Sequence, residues 1–294
     1  MKKIILLSAI SLLLAVLLCS CVFAGDGSAL AVLIPNENGE EIRITPVSDI
    51  YYLPSSVDIT KVGFNFEGEI TCAGGATVAS GGTLDLSAFE TVDERGEKCY
   101  RVTLTADGKT KDYTFYHDGT LSSVFVTTSI GLSAIDRDKE ARDKEAQIVI
   151  LNGDGSAEYS DLTDGTASEI KSRGNATWTY LKKAYQIKLD AKTDLFGMGK
   201  AKTWILLANY TDQSMLHNAL GFTLGDALEL DYNIDYRFVN LYVDGEYRGM
   251  YMLCEKVQIG DNRVEIADLE KETEKQIQTS SLTAWISASS RAAP

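Results

Sequence analysis

The sequence predicts an α+β protein in two units, an N-terminal antiparallel β-sandwich followed by a mostly antiparallel sheet with one main helix. Three observations predict it. Up to about residue 128, behind an apolar leader, lie short alternating apolar and polar runs separated by Gly and Asp turns. The second half carries more continuous apolar runs of strand type, and residues 212–228 alone repeat apolar residues at three-to-four spacing.

The leader comes first. Lys2-Lys3, an uncharged apolar run from Ile4 to Leu18, and then small residues and cysteines have the build of an export signal, so residues 1–24 stand outside the fold. The apolar run is shorter than the ~20 residues a spanning helix needs. Two processing sites are compatible with it. Leu18-Cys19-Ser20-Cys21 would place a lipid on Cys21, whereas Val22-Phe23-Ala24 would be cut to release Gly25. Gly25-Asp26-Gly27-Ser28 suits a flexible tether, which favours an extracellular lipoprotein held to the membrane through Cys21 over a soluble secreted form.

The first unit, residues 25–130, is read from Val62–Phe66, Glu69–Cys72, Thr83–Leu86, Tyr100–Leu104 and Tyr113–Tyr116, with Asp107-Gly108 and Asp118-Gly119 as turns. The glycines around Gly74 and Gly81 precede strand patterns rather than opening a helix, so they read as loops and not as a phosphate cradle. Cys72 and Cys99 either pair or remain thiols, since sequence separation does not decide geometry. His117 and His217 have no companion cysteine, and no metal spacing exists.

Residues 131–146, with mixed charges from Asp136 to Glu145 and no apolar stripe, read as a solvated connector or short exposed helix. The second unit, residues 147–279, opens with Gln147–Leu151. Ala184–Leu189 and Thr203–Ala208 follow as strands. Asp212 stands where an N-cap would, ahead of Met215, Leu216, Ala219, Leu220, Thr223, Leu224, Ala227 and Leu228. Arg237–Val243 and Glu246–Val257 flank Asp244-Gly245, a type I′ hairpin signal.

A net charge of −14 argues against general nucleic-acid binding, because phosphate backbones are held by basic surfaces. Against that background, Lys171, Arg173, Lys182, Lys183, Lys188, Lys192, Lys200 and Lys202 face only Asp190 and Asp194 in the same stretch. Such an island can concentrate an anionic ligand. An exposed cationic face, or one touching anionic wall polymer, has the same composition. Arg173-Gly174-Asn175 reads as the end of a strand in a tight turn with two donors at its mouth.

In order along the chain stand R-G-N-A-T-W, K-K-A-Y-Q-I-K-L-D, L-F-G-M, W-I-L-L-A-N-Y-T-D-Q-S-M-L-H-N and F-V-N-L-Y-V-D-G-E-Y-R-G-M-Y-M-L-C-E-K-V. This string resembles the CotH (spore coat protein H) kinase family, secreted or spore-surface proteins with an atypical kinase-like fold that transfer phosphate from ATP to protein side chains. The resemblance implies a kinase-N-lobe-like sheet over Ile170 to Ile266, ATP with Mg²⁺ as cofactor, and a surface or spore-coat-like protein as substrate. It nominates Lys188 as the phosphate-pairing lysine. Arg173 and Asn175 join it at the turn, and Glu255 and Lys256 lie where the strand leads into the hinge that meets adenine. The helix from Asp212 would take the place of the regulatory helix.

The sequence also departs from that family. His217 stands where Arg is more frequent and Cys254 where Thr is usual. The carboxylates that orient a substrate hydroxyl and hold Mg²⁺ belong downstream, yet Ser280–Pro294 contains no acid and is rich in Ala and Ser. A truncated or shifted reading frame, or a genuine short tail, would give this ending. No catalytic or metal-binding residue is nominated. The expectation is a catalytically incomplete CotH-type protein with weak or absent ATP binding, the alternative being a non-catalytic surface binding or structural protein.

Overall fold

The computed structural model describes residues 30–270 and 273, apart from 36–40, 67–68, 73–74, 76, 80, 107–108, 118 and 163–165. The leader with Cys21, the Asp107-Gly108 turn and the 280–294 tail lie outside the described residues. Among those described, the first strands are β1 (Ala31–Pro35), β2 (Glu41–Ile44), β3 (Ile50–Leu53), β4 (Val62–Asn65), β5 (Glu69–Cys72), β6 (Thr77–Ala79), β7 (Thr83–Leu84), β8 (Glu90–Val92), β9 (Lys98–Ala106) and β10 (Lys109–His117). They form two sheets. One runs β2-β1-β4-β7, and the other β3-β10-β9-β5-β6 with β8 beside β9.

Alternate residues of both sheets, among them Val32, Ile34, Phe64, Leu104 and Phe115, share one apolar core. The pairing is not wholly antiparallel, because β3 runs parallel to β10 with Tyr51 opposite Phe115. Their rings stack at 4.6 Å, and the Tyr51 hydroxyl donates to the Leu30 carbonyl at 2.6 Å. Cys72 and Cys99 are free buried thiols. Cys72 sits opposite Leu104 on β9, five positions along the strand from Cys99, which at about 3.4 Å per residue is beyond disulfide reach.

The second unit comprises β11 (Ser122–Thr127), α1 (Leu132–Arg137), β12 (Arg142–Leu151), β13 (Ala157–Ser160), β14 (Ser168–Arg173), β15 (Ala184–Asp194), β16 (Lys200–Leu207), α2 (His217–Ala227), β17 (Tyr236–Val243) and β18 (Glu246–Glu255). The expected α+β class, with an open kinase-N-lobe-like sheet and one main helix, is corrected here. The protein is mostly β, and β11-β17-β18-β16-β15-β14-β12 closes into a seven-stranded barrel beside the two other sheets. Closure is the work of β11, which pairs parallel with β17 (Val124 opposite Leu241) and antiparallel with β12 (Val124 opposite Ile150). β12 is the next strand along the chain, but β17 is far away in sequence, and the local pattern S-S-V-F-V-T marks a strand without marking its neighbours. Closing a sheet removes its edges.

The chain thus enters the barrel at Ser122, ahead of the boundary read at residue 130. Nor is the charged segment simply a solvated connector. Ile135 on α1 is fully buried in the barrel core, and β12 begins at Arg142.

Inside the barrel lie Ile148, Ile150, Ile187, Trp204, Leu206, Val239, Leu241 and Leu253. Outward-facing residues of the same strands meet three different environments. Phe125, Val149, Leu151 and Tyr242 join the core of the N-terminal sheets. Ile205, Met252 and Cys254 are covered by Ala219 and Phe222 of α2. Between β12 and β15 the outward residues are polar, with Lys171, Arg173 and Gln186 part-buried and Lys188 exposed.

Two local features hold this arrangement. β12 pairs with β13 toward one end and with β14 toward the other, and at the seam the Asp161 carboxylate accepts the Ile148 N–H at 2.7 Å. The Asp244-Gly245 hairpin has φ of 52° and 84°, as a type I′ turn requires. Asp244 also accepts from the Thr128 N–H at 2.7 Å, tying the hairpin to the end of β11.

The helix differs from its sequence reading. It starts at His217, and Asp212 is not its N-cap but the anchor of the preceding turn, accepting from Ser214 N–H at 3.0 Å and His217 N–H at 2.8 Å. Hydrogen bonds, first that from the Ser214 hydroxyl, hold its carboxyl below the usual carboxylate range. The leucine stripe faces away from the barrel, because the close contact is made by the small residues Ala219 and Gly225.

Candidate functional site: a basic cleft on the uncovered barrel wall

Strand β14 alternates Ser168, Ile170 and Ser172 toward the interior with Glu169, Lys171 and Arg173 on the outer wall. Its register with β15 sets Lys171 opposite Gln186, Arg173 opposite Ala184 and Glu169 opposite Lys188. On its other side Lys171 lies directly opposite Arg142 of β12. Opposed like charges in a ladder are destabilising. The only ion pair found for this group among the described residues is Arg142 with Glu169, at 3.9 Å.

Arg142, Lys171, Arg173 and Gln186 line an open cleft of about 320 Å³ with Lys139, Glu140, Ser172, Gly174 and Asn175. Four cations meet there, from the connector (Lys139), β12 (Arg142) and β14 (Lys171, Arg173). The turn below them is tightly built. Gly174 has φ +109°, and a Cβ there would lie 2.1 Å from the Thr177 hydroxyl, so only glycine fits. The Trp178 indole donates to the Ser172 hydroxyl at 2.9 Å, which donates to the Ile135 carbonyl at 3.0 Å. The chain after the turn is thereby pinned to α1. Lys139 donates to the Asn175 carboxamide at 3.1 Å, fixing the rim.

The structure therefore divides the five residues nominated from sequence. Arg173 and Asn175 line the cleft, and Lys188 is exposed one outward position beyond Gln186 on β15. Glu255 does not join them. Opposite Trp204 in the ladder, it points into the barrel end, where it is ion-paired with the buried Arg263. It also accepts the Asp235 N–H at 3.2 Å, and burial pushes its carboxyl above the ordinary value. The Arg263 guanidinium lies 4.9 Å over the Trp204 ring and donates to the Met198 carbonyl at 3.1 Å. This is a plug for the barrel rather than a surface contact. Lys256, half-buried, follows it outside the ladder.

Trp204 lies in the core, while Trp178 is half-buried at the edge of the turn. Cys254 is shielded, its thiol pushed up to about 12 by burial. Sequence reasoning missed Lys139, Arg142 and Gln186. The two cations belong to the segment read as a connector, and their like charge opposite Lys171 appears only once β12 and β14 pair. Lys182, from the basic island, lies elsewhere. It donates to the Met250 carbonyl at 2.6 Å over the Tyr251 ring, and burial pushes its amine down to about 8.

The donor set fits phosphate oxygens, which accept from guanidinium, ammonium and amide groups. It does not fit Mg²⁺. Among the described residues no group of three or more His, Cys, Asp or Glu could hold a metal ion, and Glu140 is the single acid of the cleft.

No curated protein matches the chain. Residues 170–286 match the family model described as CotH kinase protein, a region that runs from β14 through the cleft turn, α2 and the β17–β18 hairpin and on past the last described residue. The later part of this chain, including most of β14 and all of β15 of the cleft wall, is thus similar to the CotH kinase family.

Proposed function

We propose that this chain is an exported, surface-tethered protein whose CotH-like region binds the phosphate groups of a nucleotide in the basic cleft. The observation that supports the reading is the convergence of Lys139, Arg142, Lys171 and Arg173 on one open cleft of the barrel wall, with Arg142 and Lys171 directly opposed. An anion between them turns a repulsive pair into two favourable ones. ATP is the nucleotide that the family resemblance suggests. With no carboxylate pair at the cleft, the proposal is limited to binding and includes no transfer to a protein side chain.

Affinity is expected on the order of millimolar, about −4 kcal/mol, since the open cleft covers one side of the ligand and little apolar surface is buried. Binding should weaken steeply with salt, because screening acts on exposed charges. Calorimetry or ligand-detected NMR of the full chain with ATP at low and high salt, repeated with Arg173→Ala, is the test. Micromolar binding that survives the substitution would contradict this site. No binding at low salt would leave the surface-platform alternative standing. The tether is supported by the signal pattern around Cys21. Unchanged membrane partition in Cys21→Ala would remove that part of the reading.

A further inference from the structure

The cleft presents four cations and one acid, yet nothing in its lining suits a nucleobase. Every residue that lines it is polar or glycine. Bases are held by stacking on aromatic rings or in apolar slots, and the candidates nearby are already engaged. Across the ladder from Gln186 comes Ile205, which is 2% exposed beneath α2. Trp178 does not line the cleft, its indole N–H is donated to Ser172, and the Lys183 ammonium lies 4.8 Å over its ring.

Taking the cleft as the phosphate site proposed above, we infer that its ligand is a metal-free chain of linked phosphates, as in inorganic tripolyphosphate or the tail of any nucleoside triphosphate, and that Mg²⁺ weakens its binding. Opposed residues such as Arg142 and Lys171 stand about 5 Å apart, and Lys171 and Arg173, two residues apart on one face, about 7 Å. A single phosphate gathered by all these side chains would draw four like charges together. Linked phosphates instead spread their oxygens across the patch, so that each cation meets its own partner. A longer chain also brings more charge than the about −2 of a monophosphate.

The family resemblance implies Mg²⁺, and the donor set here argues the opposite. Protein-bound Mg²⁺ relies on one or two carboxylates besides the phosphates. Glu140 is the one acid of the cleft and stands among four cations, which repel a divalent ion. Chelation cancels two charges of the ligand and occupies oxygens that the guanidinium and ammonium groups would contact. A chelated triphosphate therefore offers this cleft less than a bare one.

The test is ligand-detected NMR of the full chain at low, constant ionic strength with ATP, AMP, adenosine and inorganic tripolyphosphate, each with and without saturating Mg²⁺. Tripolyphosphate should displace ATP at comparable concentration, AMP should bind severalfold more weakly, adenosine should not bind, and Mg²⁺ should weaken ATP and tripolyphosphate severalfold. Lys171→Gln should weaken both ligands and Glu140→Gln should tighten them, whereas Lys192→Gln, in the same basic stretch but outside the cleft, should leave them unchanged. AMP or adenosine binding as tightly as ATP, tripolyphosphate that fails to displace ATP, or tightening by Mg²⁺ would overturn the inference while leaving a nucleotide site in place. Tripolyphosphate bound where ATP is not would keep it and remove the nucleotide reading. Binding of neither would remove both. Equal losses in Lys171→Gln and Lys192→Gln would mean a diffuse cationic surface and would overturn it as well.

Discussion

Two stretches of the barrel wall share one construction and differ in what faces outward. Along β11, β12 and β17 the outer residues are Phe125, Val149, Leu151 and Tyr242, and they merge into the core of the N-terminal sheets. Phe125 stacks on Tyr242 at 4.8 Å, and the Tyr242 hydroxyl donates to the Tyr52 carbonyl at 3.0 Å. Along β14 and β15 the inner residues include the buried Ile170, Ile187 and Leu189 beside Ser168 and Ser172, but the outer ones are Lys171, Arg173, Gln186 and Lys188. The same period-two alternation therefore makes a structural wall where both faces are apolar and an open cationic wall where one face is charged. Stability should reside in the first and ligand chemistry in the second.

The strongest way to break that contrast is Phe125→Ala. Truncating a buried aromatic shared by both units should cost about 3–5 kcal/mol, read from urea denaturation followed by tryptophan fluorescence. A loss below about 1 kcal/mol would mean that the two cores are not one.

The seam between the walls is sharpened by pH. Asp161 is 1% exposed, and burial pushes its carboxyl up to about 6. A folded-state value above the unfolded one means stability that is fully present below about pH 4 and is lost as pH rises through about 6, roughly 3 kcal/mol in all. Asp161→Asn, neutral at every pH, should flatten this part of the stability profile. An unchanged profile would place the titration elsewhere.

The smallest stability effect is expected on the open wall. Lys171→Ala should change stability by no more than about 0.5 kcal/mol, with a stabilising sign, because the repulsion from Arg142 is relieved. The same substitution should weaken ATP binding severalfold. A large destabilisation would show that Lys171 supports the fold, and the contrast between the walls would fail at that residue.

Much of this was legible residue by residue. Gln147–Leu151 reads as a strand with both faces covered, and the structure places Ile148 and Ile150 in the barrel and Val149 and Leu151 against the N-terminal sheets. Asp244-Gly245 announces its own turn, because positive φ at two successive residues suits few other pairs. The Arg173-Gly174-Asn175 turn was equally plain, as Gly174 admits no side chain. Helix α2 was found, but its start was misplaced, because Asp212 anchors the preceding turn rather than capping the helix. Leucine periodicity locates a stripe without saying on which side the protein lies, and the contact went to Ala219 and Gly225, where a small residue lets the helix approach the sheet.

By itself, then, the sequence determined many of the strands, several of the turns, which stretch carries excess positive charge and which family the later part resembles. These are local properties, set by side-chain alternation, backbone freedom and residue order. Only the tertiary structure decided that β11 closes the sheet, that Arg142 from a supposed connector faces Lys171, and that Glu255 turns inward to Arg263. Each of these depends on which strand edges meet. Backbone hydrogen bonding is the same for every residue, so an edge carries no signature in its own sequence, and its partner is selected by the packing of the whole core.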